Sequence, residues 1–331
     1  MRRIIVDAMG GDHGPGVVVA GALQAAKEYG VAVTLVSESD AVDSELSRHS
    51  YDTAAVSVVT AASSIDMHDS PSRALKQKDS SMRIAFDRLK AGEGDALVSA
   101  GNSGAMMAIG MFVLGRLPGV DRPAILTVTP SVSGGTVLLD GGANTECKAR
   151  QLVQFAHMGA IYADKILGIA TPRVGVLSNG EEDGKGNELT REAIHELRST
   201  DLNFMGHVEG RDITNGRVNV VVCDGFTGNV ALKTMEGLGQ FVSSVLKGAF
   251  RSSLLSRLGY LLCRGAIGRA YDRLDYAHYG GAPLIGLNGV AIVAHGGSSA
   301  KAIKNAVRVA AEAVSQDING YIVNALGKRD A

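Results

Sequence analysis

Three short segments place glycine beside Asn, Asp or Ser directly after an apolar run: Gly101-Asn102-Ser103-Gly104, Asp140-Gly141-Gly142-Ala143-Asn144 and Asp224-Gly225-Phe226-Thr227-Gly228-Asn229. Glycine lets backbone approach a ligand closely, and the free N–H groups of a helix start attract an anion. Each loop alone also fits a tight turn, and each Asp also fits a helix cap or a loop fastener. Taken together they describe a crevice for phosphate lined by Asn102, Ser103, Gly104, Asn144, Asp224, Gly228 and Asn229. Gly184-Lys185-Gly186-Asn187-Glu188 adds a cation and an Asn beside another helix start, and Lys233 lies one turn beyond Asn229. A plain loop lysine and a plain surface-helix lysine are the alternative readings of these two. Asp7, Gly10, Gly11 and His13 belong to a further Gly-rich loop, where the histidine reads as a hydrogen-bonding fixture or as a proton shuttle. Cys147 reads as an inert buried thiol rather than as an acyl acceptor.

Other chemistries lack their residues. No G-x-G-x-x-G follows a strand, as a standard dinucleotide site requires. Gly180 to Lys185 is one residue short of a P-loop, and no Ser or Thr follows the lysine. Ser103 has no G-x-S-x-G elbow around it. The eight histidines show no metal-ligand spacing. Neither a cofactor nor a metal is expected.

The elements that must position these loops alternate. Apolar runs at 3–8, 31–36, 55–59, 95–99, 124–129, 136–139, 173–177, 219–223 and 290–294 read as strands, several of them fully apolar. Helical spacing follows at 16–29, after Gly104, at 148–166, at 188–198, after Asn229 and at 300–324. This alternation predicts an α/β fold with a doubly wound, largely parallel sheet, and the fully apolar strands agree with burial on both faces. Ligands in such folds bind outside the carboxyl ends of the strands, where these loops fall. No repeat or linker interrupts the chain, so residues 1–331 read as one catalytic unit, of one lobe or two.

The bulk numbers agree with a globular protein. Formal charge is −1, which disfavours nucleic-acid binding. Glycine is over-represented, at 42 of 331 residues, and it gathers in the loops after apolar runs. Three widely spaced cysteines fit a reducing cytoplasm. The longest apolar run, within 104–115, is well short of a membrane span.

One region departs from the pattern. Between Val245 and Tyr271 lie five basic residues and no acidic ones. Leu254, Leu255, Leu258, Leu261 and Leu262 follow the spacing of a single helix face. Residues 245–275 therefore read as a basic amphipathic segment. Spacing alone admits a core or dimer helix as readily as a surface-binding one.

In their order along the chain, Asp7-Ala-Met-Gly-Gly-Asp-His13, Ser99-Ala-Gly-Asn-Ser-Gly104, Gly142-Ala-Asn144, Gly184-Lys-Gly-Asn-Glu188, Asp224-Gly-Phe-Thr-Gly-Asn-Val230, Tyr279-Gly-Gly281 and Ala294-His-Gly296 resemble the phosphate acyltransferases of bacterial phospholipid synthesis. The resemblance spans essentially the whole chain. It departs at Gly14, where alanine is more familiar, and in the His-Gly-Gly-Ser-Ser sequence from His295. It implies a fold like that of isocitrate and isopropylmalate dehydrogenases, and a homodimer. It also implies an activity: acyl transfer from acyl carrier protein to inorganic phosphate, giving an acyl phosphate that a membrane glycerol-phosphate acyltransferase consumes. Phosphate is already a nucleophile and a thiolate a good leaving group, so donors for the oxyanion suffice and no triad is needed. Lys185, Asn229, His13 and Lys233 are the expected catalytic groups. With the resemblance in view, Leu254, Arg257, Leu258, Leu261, Leu262 and Arg264 are expected to meet the carrier protein or the bilayer, in a cytoplasmic protein peripherally bound to membrane. An NAD-dependent dehydrogenase on the same fold is the alternative.

Overall fold

The computed structural model describes residues 1–274 and 280–327. Aliphatic and β-branched runs form the strands among them: β1 (Arg3–Asp7), β2 (Ala32–Glu38), β3 (Val56–Ala61), β4 (Ala96–Ser99), β5 (Ala124–Ile125) and β6 (Thr127–Ser131) come first. They are followed by β7 (Gly134–Leu139), β8 (Val174–Leu177), β9 (Phe204–Val208), β10 (Val220–Val222), β11 (Ala282–Ile285) and β12 (Val290–Val293). Helices on both faces cover a mostly parallel arrangement, as the alternating pattern predicts.

The strands make two sheets where the pattern suggests one. The first has the order β3-β2-β1-β4-β12-β11-β5, the second β6-β7-β10-β8-β9. The chain changes sheet at Leu126, which is fully buried and donates its N–H to Pro283 O at 3.0 Å. β5 pairs antiparallel with β11, and β6, directly after Leu126, pairs antiparallel with β7. Apolar periodicity reports that a strand is buried but not which strand lies beside it, so the switch has no sequence signal.

Alternation along the strands sorts side chains to two faces. In the first sheet Ile4, Val6, Val98 and Ile292 pack under the helices Pro15–Tyr29 and Ala300–Ser315. Ile5, Leu97 and Ala291 face the helices Ser81–Lys90 and Ser103–Val113. In the second sheet Val137, Leu139, Val176 and Val220 meet the helix Ala149–Lys165, and the C-terminal helix Ile318–Leu326 joins the same core. The last helical stretch is thus two helices. Asp317 breaks it with left-handed backbone (φ 47°), and its carboxylate accepts from Gly320 N at 3.3 Å.

The amphipathic segment is also two elements. The helix Gly225–Arg251 ends inside it, and Leu254–Leu274 follows a turn in which Ser253 Oγ accepts from Ser256 N at 3.0 Å. Residue 275 and Tyr279 lie outside the described residues. The first turns of the Gly225–Arg251 helix meet the body, where Ala231, Leu232 and Met235 pack on the second sheet. Beyond them the two helices project, touching each other through Phe250 and Tyr260, with ring centroids 5.3 Å apart. None of the five leucines is buried in this chain, and Leu254, Leu255 and Leu262 are more than four-fifths exposed (83%, 83% and 82%).

Candidate active site

At the carboxyl ends of β1, β4 and β12 three loops interlock. The carboxylate of Asp7 is buried and accepts from Ser81 Oγ and Ser99 Oγ, both at 2.7 Å. Burial pushes its pKa above the ordinary Asp value, while the two serines and Met9 N–H pull the other way. Ser99 Oγ in turn accepts from Gly101 N at 3.0 Å. Gly10 lies against the backbone of Gly101 with no room for a side chain, and Asp12 N donates to Gly296 O at 2.8 Å. Asp7 and Gly10 therefore set the Gly101–Gly104 loop in place. His13 stands exposed beside this junction.

Asn102 caps the helix Ser103–Val113, accepting from Ala105 N at 3.0 Å. Its amide donates to Met67 O and Asp69 O, both at 2.9 Å, fastening the 63–70 loop to the helix start. Among the described residues nothing occupies the N–H groups of Ser103 and Gly104 or the Ser103 hydroxyl, and both residues are exposed. These are orphan donors of a helix N-terminus, open to an anion.

The loop after β7 behaves differently. Asp140 is fully buried, and its carboxylate accepts from the N–H groups of Ile125, Gly142, Ala143 and Asn144 and from the Asn144 side chain, at 2.7–3.1 Å. Burial nevertheless pushes its pKa upward. The Asn144 amide also donates to Pro123 O at 2.8 Å. The N–H groups that the glycine pattern offers to a ligand in this loop are thus taken by the loop's own aspartate. Asp224 likewise caps its helix, accepting from Thr227 N and Thr227 Oγ1, both at 2.8 Å. Gly225 N donates to Asn144 O at 2.7 Å, and Gly228 lies against the Asp140 carbonyl. This contact brings Asn229 against Gly142, exposed and with its amide free of hydrogen bonds among the described residues.

Between the two sheets opens a cavity of about 550 Å³. Ser103 and Gly104 meet Gly142, Ala143 and Asn144 across it, and the rest of the wall is largely apolar. Arg122 is exposed, lines the same cavity and has no salt bridge among the described residues. Sequence reading passes over Arg122 because it stands alone before Pro123, outside any Gly-rich motif. Its position in the cleft follows only from the change of sheet just beyond it.

The remaining expected groups stand apart from the cavity wall. Lys185 is exposed in the loop after β8, its stem packed over Gly180. Asn187 caps the helix Glu188–Leu197, accepting from Thr190 N at 2.9 Å. Lys233 forms a salt bridge with Glu236 at 2.8 Å on the exposed face of its helix. Gly11 takes left-handed backbone (φ 107°) where it packs near Gly296 O. Cys147 is half-buried, and burial together with Asp140 and Asp224 pushes its thiol up to about 12, so it carries no thiolate at neutral pH. Among the described residues no group of three or more His, Cys, Asp or Glu side chains is placed to hold a metal ion, and no helix is long and apolar enough to cross a membrane.

The overall fold is found in solved structures. A phosphotransacetylase from Streptococcus pyogenes superposes with a TM-score of 0.66 at 18% identity, over 95% of this chain and 94% of that one. A 4-hydroxythreonine-4-phosphate dehydrogenase from Klebsiella pneumoniae gives 0.53 at 13% identity, over 95% and 100%. At such identities the likeness defines the fold class, an α/β fold shared by transacylases and dehydrogenases. Sequence similarity goes further. The model of the fatty acid synthesis protein family matches residues 2–320. The phosphate acyltransferase of Geotalea daltonii is 53% identical over 325 residues, 98% of this chain and 94% of that protein. That of Geobacter sulfurreducens is 53% identical over 96% and 92%. The chain belongs to the phosphate acyltransferase family.

Proposed function

We propose that the protein moves an acyl group from the thioester of acyl carrier protein to inorganic phosphate. A phosphate oxygen attacks the thioester carbonyl carbon, the C–S bond breaks, and the thiolate leaves to take a proton from water. The observation that carries this reading is the open helix start at Ser103 and Gly104, facing an apolar cleft. It offers donors to an anion at the point where an acyl group can lie. Ser103, Gly104 and Asn229 orient phosphate and stabilise the tetrahedral oxyanion, with Lys185 drawn in as a mobile cation. Asp7, Asn102, Asn144, Asp224 and Asn187 act by holding their loops, since their side chains are already engaged. His13 and Lys233 remain at the rim.

Two exposed apolar surfaces on the projecting helices support the partner assignments. Phe226, Val230, Leu238, Phe241 and Val245 lie at helical spacing along Gly225–Arg251 and suit a second copy of the chain. Leu254, Leu258, Leu261 and Leu262 with Arg257 and Arg264 suit an anionic bilayer surface or the acidic carrier protein, in a cytoplasmic protein peripherally held at the membrane. That location would deliver a labile acyl phosphate to a membrane glycerol-phosphate acyltransferase. The test is thiol release from acyl carrier protein thioesters. It is expected to require phosphate and to proceed without nucleotide. Release that is unchanged when phosphate is withheld would overturn the reading.

A further inference from the structure

We infer that the cleft between the sheets is a trough that holds the alkyl chain and sets chain-length preference, with Met107, Ala108 and Met111 as its floor. The inference rests on the acyl-transfer reading above and adds where the chain lies. The floor is one face of the helix Ser103–Val113. Ser103, Gly104, Met107, Ala108 and Met111 all line the cavity, at the i, i+1, i+4, i+5, i+8 spacing of a single helix face. Leu75 and Ile125 add further apolar wall. Polarity is graded along this face. The helix start carries the free N–H groups and the Ser103 hydroxyl, opposite Asn144, and everything further along the floor is apolar. A thioester carbonyl placed at Ser103 therefore directs its alkyl chain toward Met111, about 12 Å away at 1.5 Å per residue.

The floor suits a substrate of variable length. Methionine is unbranched and adapts to irregular apolar partners, and both Met107 and Met111 are only half-buried, leaving surface to be covered. A volume of about 550 Å³ lies well inside the range of small-molecule sites. The far end is not closed. Phe112 lines the cavity there, is 67% exposed, and has the Arg83 guanidinium 5.2 Å from its ring centroid. An open end accepts a longer chain without gaining from the extra carbons. Preference should therefore rise with chain length and then level off.

Each buried methylene is worth roughly a factor of four in affinity. The experiment compares kcat/KM for hexanoyl and palmitoyl thioesters of acyl carrier protein in the wild type, Ala108→Trp and Met111→Phe, each checked for an unchanged thermal midpoint. Filling the trough is expected to lower the palmitoyl-to-hexanoyl ratio at least about tenfold. A ratio unchanged in the variant that folds, or equal loss for both thioesters, overturns the proposal. Binding of cis-parinaric acid, a fluorescent fatty acid, is measured alongside and needs no turnover. If the wild type releases no thiol from either thioester, the acyl-transfer reading falls while the trough is still judged by the probe. Tight probe binding that weakens about tenfold in a folded variant supports the trough, and no binding by the wild type overturns it.

Discussion

Gly228 sits directly against the carbonyl oxygen of Asp140, so that no side chain fits between the helix Gly225–Arg251 and the turn after β7. The neighbouring Gly225 repeats the contact, since a Cβ there would lie 2.8 Å from both Asn144 N and Asn144 O. These two glycines serve close packing of one loop on another rather than approach to a ligand. They carry Asn229 to the edge of the cleft.

Gly228→Ala should therefore destabilise the protein by about 1–3 kcal/mol through overpacking. Gly237, in the same helix with open space around it, is the control. Gly237→Ala should raise stability by about 0.5–1 kcal/mol through helix propensity. Urea unfolding of both variants measures the contrast, and equal effects would contradict the packing account.

The raised pKa of Asp7 predicts a pH dependence with a definite sign. A carboxyl that binds its proton more tightly when folded contributes stability fully present below the ordinary value of 3.8, and loses it as pH rises through the folded value. Asp7→Asn cannot ionise and lacks this slope. The wild type should lose stability relative to the variant as pH rises from acid toward neutral. Unfolding curves collected across that range supply the test.

Lys185→Ala and Asn229→Ala should each lower kcat/KM for thioester phosphorolysis by about 10²–10³, the usual loss for a preorganised donor. Folded variants within about threefold of wild type would remove these residues from the chemistry.

Thiol reactivity separates the cysteines. Cys263 is exposed, while Cys147 is half-buried with its pKa pushed up to about 12, and Cys223 is fully buried. Iodoacetamide at pH 8 should label Cys263 first and leave Cys147 largely unmodified, as peptide mass spectrometry would show. Cys147→Ala should retain most activity, because direct attack by phosphate needs no acyl-enzyme.

Leu258→Glu combined with Leu262→Glu should abolish sedimentation with anionic liposomes while soluble phosphorolysis continues. Both leucines are exposed, at 57% and 82%, so neither belongs to this chain's core. Loss of the dimer in the double variant, with a wild type that never sediments, would make the segment a subunit interface instead.

What the sequence by itself determined was local. Most strands and helices followed from apolar spacing, though β9, β11 and the helix Ser81–Lys90 were not marked, and the loops at Gly101, Asp140 and Asp224 were marked because glycine after a buried strand reports a tight backbone. Order and combination of these loops were also enough to indicate the family. The tertiary structure decided which of them keeps donors free. Asp140 satisfies the N–H groups of Gly142, Ala143 and Asn144, whereas Asn102 leaves those of Ser103 and Gly104 open. Both loops look alike in sequence, because a side chain's hydrogen-bond partners depend on where the backbone turns, not on residue type. The change of sheet at Leu126, and with it the placing of Arg122, Met107 and Met111 on one cleft, was decided the same way. It arises from strand pairing between segments far apart in the chain, which no local pattern encodes.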